Sequence, residues 1–480
     1  MSRSIAHLAG LSARTMATLV RRRIASPMEI VDAVLARIER LEPEINAFAA
    51  LDIDRVRDAA RQSEALMMQD RFLGPLHGVP VTVKDVQAVA GLPTRRGSRL
   101  TTADHAEQDS PAVARLRAAG ALILGKTTMT EHGWTAVSDS PLTGTTHNPW
   151  KHGFTSGGSS AGAAALAAAG CGPLHLGTDG AGSVRIPAHF CGVVGFKPSF
   201  GRVPYVPVPN NGSLSHIGPL TGDVPDGALM LEVMAGPHAA DFTSLPIGFR
   251  APDFERAELK GLRIAYSPTL GHARVDPEVA DLVAEAGRAF ADLGAYVEEV
   301  EPDWGPQGPD LIRALWGAAL LSARPADAEA AESMDEGLIA CLRDSDGATL
   351  GDVQAAQARR IAYAAAIGHW FDSGWDLLLT PAASVAAFEV GRQRPAHWPD
   401  HAWDWISWAE FSYPFNLAHN PAISVPCGLT KGGLPVGLQI VGPRHDDAAV
   451  MAAAHAYLTA RPFRRRPYDD QLPSKAADLR

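Results

Sequence analysis

The chain has 480 residues, 46% hydrophobic and 20% charged, which excludes a disordered composition and leaves ample material for a large core. A formal net charge of −10, with no dense basic run beyond Arg21, Arg22 and Arg23, argues against a nucleic-acid partner. No uninterrupted apolar run is long enough to cross a membrane, and four cysteines without a C-x-x-C spacing fit a reduced, cytoplasmic protein better than a disulfide scaffold.

Residues 11–70 read as helices. Ser26-Pro27-Met28-Glu29 has the form of a capping box with Pro at the first helical position. Ile30, Val31, Val34, Leu35, Ile38 and Leu41 follow at helical spacing, and Pro43 is expected to end that helix. From about 72 to 225, apolar runs such as VPVTV and ALILG alternate with Gly-rich turns and short helices such as PAVARLRAAG. That alternation is the texture of an α/β layer fold. Residues 304–408 hold eight of the ten tryptophans: Trp304, Trp316, Trp370, Trp375, Trp398, Trp403, Trp405 and Trp408. They fill a core, form a subunit interface or wall a substrate pocket. After 410, PAISVPCG and LPVGLQIVG read as strands returning to the same sheet. No composition shift marks a linker. The expectation is one domain over 1–480, with N-terminal helices at 1–70, a core at 72–225 and a C-terminal part at 226–480.

Two short motifs mislead. Residues 120–127 match G-x-x-x-x-G-K-[ST], but the four intervening residues, Ala-Leu-Ile-Leu, favour a strand where a phosphate loop needs a flexible turn. Residues 158–162 match G-x-S-x-G, which would make Ser160 the nucleophile of an α/β-hydrolase elbow. The preceding HNPWKHGFTS is polar and broken by Pro149, unlike the buried strand an elbow requires.

Three other stretches carry chemistry together. In HGVPVTVKDV, Val79, Val81 and Val83 alternate with Pro80, Thr82 and Lys84, giving a strand that ends on a lysine. Desolvation would lower that lysine's pKa and make it a base, whereas a purely structural lysine would snorkel or pair with Asp85. In GGSSAG, at least one of Ser159 and Ser160 is placed to cap the helix that follows. In HLGTDGAGSVRIPA, a strand ends near Thr178. A turn of small residues then brings successive amides together as a nest for an oxyanion, or is a plain glycine turn capped by Ser183.

The lysine strand, GGSSAG and TDGAGSVRIPAHFCGVVGFKPSFGRVP together resemble the amidase signature family, and the resemblance covers most of the chain. It implies a large α/β domain with a central mixed β-sheet covered by helices on both faces. It also implies a Ser–cis-Ser–Lys triad: Ser183 as nucleophile, Ser159 as a relay held by a cis Gly158–Ser159 peptide, and Lys84 as base. The amides of Gly180, Ala181, Gly182 and Ser183 would hold the oxyanion. Thr178, Asp179 and Arg185 would keep the loop in shape, and Gly133 and Trp134 would contact substrate. No metal or cofactor is implied.

The expected reaction is hydrolysis of a small-molecule carboxamide, hydrophobic or aryl, with esters and carbamates (urethanes) open as well, by a monomer or homodimer. The alternatives are the amidase-like component of a glutamine-dependent tRNA amidotransferase and a catalytically silent binding protein. Three departures bear on this. Ala181 stands where the family often has Gly. Ser215 and His216 replace the Asp and Gln typical of the amidotransferase components, and Gly222 stands where many members carry Arg. The last two weaken the amidotransferase reading.

Overall fold

The computed structural model describes residues 6–399, 401–463 and 467–468. Three helices open the chain: α1 (Ala13–Arg21), α2 (Pro27–Ile45) and α3 (Ile53–Met68). The Ser26–Glu29 capping box forms with both of its reciprocal hydrogen bonds. Pro43 does not end α2, which runs two residues further to a left-handed cap at Asn46. So close to the C-terminus, a proline's missing N–H removes one bond from a turn that is already fraying.

Eleven strands form one mixed sheet: β1 (Phe48–Leu51), β2 (Pro80–Lys84), β3 (Leu122–Thr127), β4 (Leu174–Asp179), β5 (Val194–Lys197), β6 (His216–Thr221), β7 (Arg263–Tyr266), β8 (Tyr296–Glu299), β9 (Leu377–Pro381), β10 (Ala422–Leu429) and β11 (Pro435–Val441). Their order is β1-β3-β2-β4-β6-β5-β10-β11-β9-β7-β8. Every residue of β2, β3, β4 and β6 is buried, so both faces of the sheet are covered in this region. The ALILG run is β3, following α4 (Pro111–Ala118), and its Lys126 pairs with Asp85 at 3.0 Å in full burial. That pair disposes of the phosphate-loop match. It also occupies Asp85, the partner otherwise available to Lys84.

Two features of the sheet build the site. Strands β2 and β4 are parallel neighbours, with Val83 opposite Leu176, so Lys84 and Thr178 emerge side by side at their carboxyl ends. That edge is where open α/β sheets form their ligand crevices. Strand β6 runs antiparallel to β4 with His216 opposite Asp179, which lays residues 211–215 beside the turn after β4. Helix α5 (Ala161–Ala169) follows the GGSS loop, and α6 (Arg185–Cys191) follows the small-residue turn.

Most of the tryptophans are core. Trp304, Trp316, Trp370, Trp398, Trp403, Trp405 and Trp408 are buried in a hydrophobic cluster that also contains Ala181 and Ile186. Trp316 also lines the cavity described below. Edge-to-face contacts join members of the cluster, among them Trp304 with Trp370 at 5.1 Å and Trp316 with Trp405 at 5.7 Å.

Candidate active site

Lys84 is fully buried, and its Nζ lies 2.7 Å from Ser159 Oγ, 3.0 Å from Thr178 Oγ1 and 3.3 Å from the Thr178 carbonyl. No carboxylate of the described residues is among its hydrogen-bond partners. Burial therefore dominates: it pushes the ammonium down from 10.5 to about 7, against a smaller opposing pull from Asp179. A lysine in this state is in large part neutral at physiological pH and can take a proton.

Ser159 reaches Lys84 because the loop before α5 is held tightly. The Gly158–Ser159 peptide is cis. Position 158 admits no side chain, since a Cβ there would run into the Val137 carbonyl oxygen. The neighbouring Ser160 does something else. Its hydroxyl donates to the Thr178 carbonyl at 3.2 Å and accepts from the Thr178 amide at 3.3 Å, tying α5 to β4. It is fully buried and does not line the cavity. The strand before it, Lys151–Thr155, belongs to a two-stranded hairpin outside the central sheet. The elbow reading of Ser160 fails on both counts.

Ser183 sits in the turn between β4 and α6, and Asp179 organises that turn. Its carboxylate accepts from the amides of Gly182 (2.7 Å), Val184 (3.1 Å) and Arg185 (3.4 Å). The Arg185 guanidinium meets it in a fork, Nε to Oδ2 and Nη2 to Oδ1, each at 2.9 Å. Burial would raise the Asp179 pKa, but the Arg185 charge and hydrogen bonds overcome it and hold the carboxyl well below the usual carboxylate range. The Gly182 amide is thus engaged by the Asp179 carboxylate. Gly182 has φ +120°, whereas Ala181 is not at positive φ. The alanine thus falls where a side chain is tolerated, and glycine is kept where the backbone requires it.

The far end of the chain completes the brace, and no sequence motif singled it out. Arg185 Nη1 donates to the Ser412 carbonyl (2.7 Å) and Gln439 Oε1 (2.8 Å), and its Nη2 donates to Asn416 Oδ1 (2.6 Å). Asn416 Nδ2 donates to Asp179 Oδ1 at 2.9 Å, and Ser412 Oγ donates to the Ala181 carbonyl at 2.6 Å.

Ser159, Ser183, Thr178, Gly180, Gly133 and Trp316 line one cavity of about 130 Å³. Gly133 is therefore at the cavity wall. Trp134 is not: it is fully buried behind the wall, its carbonyl accepting from Trp316 Nε1 at 2.9 Å. Of the two departures on β6 and its approach, Ser215 lines the cavity, while His216 is buried beneath it with Nδ1 2.9 Å from the Leu214 carbonyl. Among the described residues no cluster of His, Cys, Asp and Glu could hold a metal ion, and no helix is long and apolar enough to cross a membrane.

The geometry agrees with three comparisons. The amidase family model matches residues 29–451. An acylamidase of Rhodococcus erythropolis is 40% identical over 482 aligned positions, covering 96% of this chain and 98% of its own. The glutamyl-tRNA(Gln) amidotransferase component of Synechococcus sp. (strain CC9605) is 34% identical, covering 92% and 95%. Among solved structures, a bacterial aryl acylamidase of the amidase signature family superposes with a TM-score of 0.87 at 30% identity, covering 95% of this chain and 97% of that one. A 6-aminohexanoate cyclic dimer hydrolase superposes with a TM-score of 0.84 at 29% identity, covering 96% and 99%.

Proposed function

The chain belongs to the amidase signature family and is an amidase acting on the C–N bond of carboxamides; from that premise we propose that it works through an acyl-enzyme on Ser183, with Ser159 as proton relay and Lys84 as base. The observation that carries the reading is the buried, charge-depleted Lys84 Nζ at 2.7 Å from Ser159 Oγ, on the wall of the cavity that Ser183 shares.

Neutral Lys84 takes the Ser159 hydroxyl proton as Ser159 takes that of Ser183, and Ser183 Oγ adds to the substrate carbonyl carbon. The amides of Gly180, Ala181 and Ser183 stabilise the oxyanion, a contribution of about 3–4 kcal/mol for a single donor in comparable sites. Lys84 returns its proton through Ser159 to the leaving nitrogen, the C–N bond breaks, and an ester on Ser183 remains. Water activated by the same relay then releases the acid. Asp179 and Arg185 act by fixing the turn that presents Ser183.

The substrate class follows the two similar hydrolases, an acylamidase and an aryl acylamidase: hydrophobic or aryl amides, with esters and carbamates as further candidates because the same acyl-enzyme serves them. We read the protein as a cytoplasmic monomer or homodimer without a nucleic-acid partner. The amidotransferase alternative rests on relatives of lower identity and lacks the Asp and Gln that Ser215 and His216 replace.

The test is labelling with a fluorophosphonate followed by peptide mapping. A single adduct on Ser183, with turnover of an anilide by the isolated chain, is expected. An adduct on Ser159 or Ser160 in place of Ser183 would overturn the assignment. Glutaminase activity confined to a complex with partner proteins would favour the amidotransferase.

A further inference from the structure

The cavity wall carries a charge that the reaction itself does not use. Arg96 lines it together with Ser159 and Ser183. Its backbone is fixed: the amide donates to the Asp85 carbonyl at 3.3 Å, the carbonyl accepts from the His132 amide at 2.8 Å, and φ is +53°. Its guanidinium has no hydrogen-bond or ion-pair partner among the described residues. Arg185, Arg202 and Arg360, by contrast, are each engaged by several acceptors. The Arg96 charge is felt at two other residues of the wall, His132 and Tyr205. After burial, Arg96 is the next cause holding the wall residue His132 down to about 4, so that this histidine stays neutral.

Two further observations point the same way. No Asp or Glu is among the described residues lining the cavity, although the whole chain carries a net charge of −10. On the wall over the oxyanion turn, Ser215 Oγ donates to Asn211 Oδ1 at 2.6 Å, which turns the other end of that amide, Nδ2, onto Gly180. Asn211 Nδ2 has no partner among the described residues either. The cavity thus offers a guanidinium on a fixed backbone and an amide N–H as unpaired donors, and no acid to compete for them. Such a donor set is matched by a planar anion, which a guanidinium binds through two parallel N–H bonds.

We propose that the cavity takes amides bearing a carboxylate, which Arg96 holds while Asn211 supplies a second donor. The proposal deepens the amidase reading and rests on it for the word amide. Arg96 is here a binding residue that selects substrate by charge.

The experiment measures binding, so that it does not depend on turnover. Calorimetry on the Ser183→Ala protein compares 4-acetamidobenzoate with its methyl ester, and succinanilate with its methyl ester. The first pair places the charge on the amine side and the second on the acyl side. At least one acid is expected to bind about 10- to 100-fold tighter than its ester, the range for hydrogen bonds to a charged group. Arg96→Gln in the same background should erase the preference, and Arg96→Lys should keep part of it. Equal or weaker binding of both acids, or no binding of any probe, would overturn the proposal without recourse to a variant. A preference that survives Arg96→Gln in folded protein would overturn it as well. If wild-type enzyme cleaves none of the four anilides while the charge preference holds, the amide reading fails and the anion site stands.

Discussion

The state of Lys84 makes the pH dependence of the reaction a quantitative test. The perturbation is pH alone, with kcat/KM for a neutral anilide measured from pH 5 to 10. Burial brings Lys84 from 10.5 to about 7. At 1.36 kcal/mol per pKa unit, this is on the order of 5 kcal/mol against the protonated form. The base is the deprotonated amine, so activity rises with pH. With a pKa near 7, about one-tenth of the enzyme is competent at pH 6 and about nine-tenths at pH 8. The rate should therefore climb about tenfold over that interval and level off above pH 8. A lysine at its ordinary value of about 10.4 would instead gain close to tenfold per unit all the way to pH 9, with no plateau. Lys84→Ala should remove the ascending limb along with most of the activity. A limb that keeps climbing to pH 10 would refute the desolvation argument. A profile flat from pH 5 to 10 would refute the lysine base itself.

Three further outcomes are expected. Ser183→Ala should lose at least about a thousandfold in kcat, whereas Ser160→Ala forfeits a hydroxyl that, among the described residues, is bonded only to Thr178, costs about 1 kcal/mol of stability and keeps activity within about tenfold. Steady-state rates and denaturant midpoints on both variants check this, and equal loss of activity would revive Ser160 as nucleophile. Arg185→Met leaves the Asp179 carboxylate buried without its ion pair, so unfolding free energy should fall by about 3–5 kcal/mol in urea titration; a change under 1 kcal/mol would mean the brace is not held by that pair. Trp408→Ala and Trp316→Ala separate core from wall. The first should cost about 3–5 kcal/mol of stability, and the second should in addition alter KM, because Trp316 lines the cavity while Trp408 lies behind it.

Lys84, the GGSS loop and the turn before Ser183 stood out in the sequence as local patterns, and their expected roles came from the resemblance to the amidase signature family. A strand alternation ends on a charge, and small residues mark where the backbone turns sharply or packs closely. The main elements on either side of them were legible for the same reason. What escaped was set by contacts made across the fold. Pro43 is tolerated because of where α2 happens to end. The Gly182 amide is spent on Asp179, a geometry no composition of small residues specifies. Ser412, Asn416 and Gln439 bear no motif, and Trp134 stands next to a wall residue while facing the other way. Arg96 is one of two adjacent arginines in PTRRGS, and only the cavity distinguishes it from Arg95.

The brace around Asp179 also has a consequence for how the enzyme comes into being. The turn that presents Ser183 lies in the first half of the chain, yet Arg185 is clamped by Gln439, 254 residues downstream, and by Asn416, 231 residues downstream. Contacts of such range close late, after most of the loop entropy between them has been spent. A nascent chain that has already delivered Lys84, Ser159 and Ser183 to the folding sheet still lacks β11, and with it one wall of the clamp. The serine would remain dormant on the ribosome and gain its reactivity when the last strand docks. A hydrolase assembled in this order is silent for most of its synthesis, and the emergence of activity in a translation reaction would mark the docking of β11.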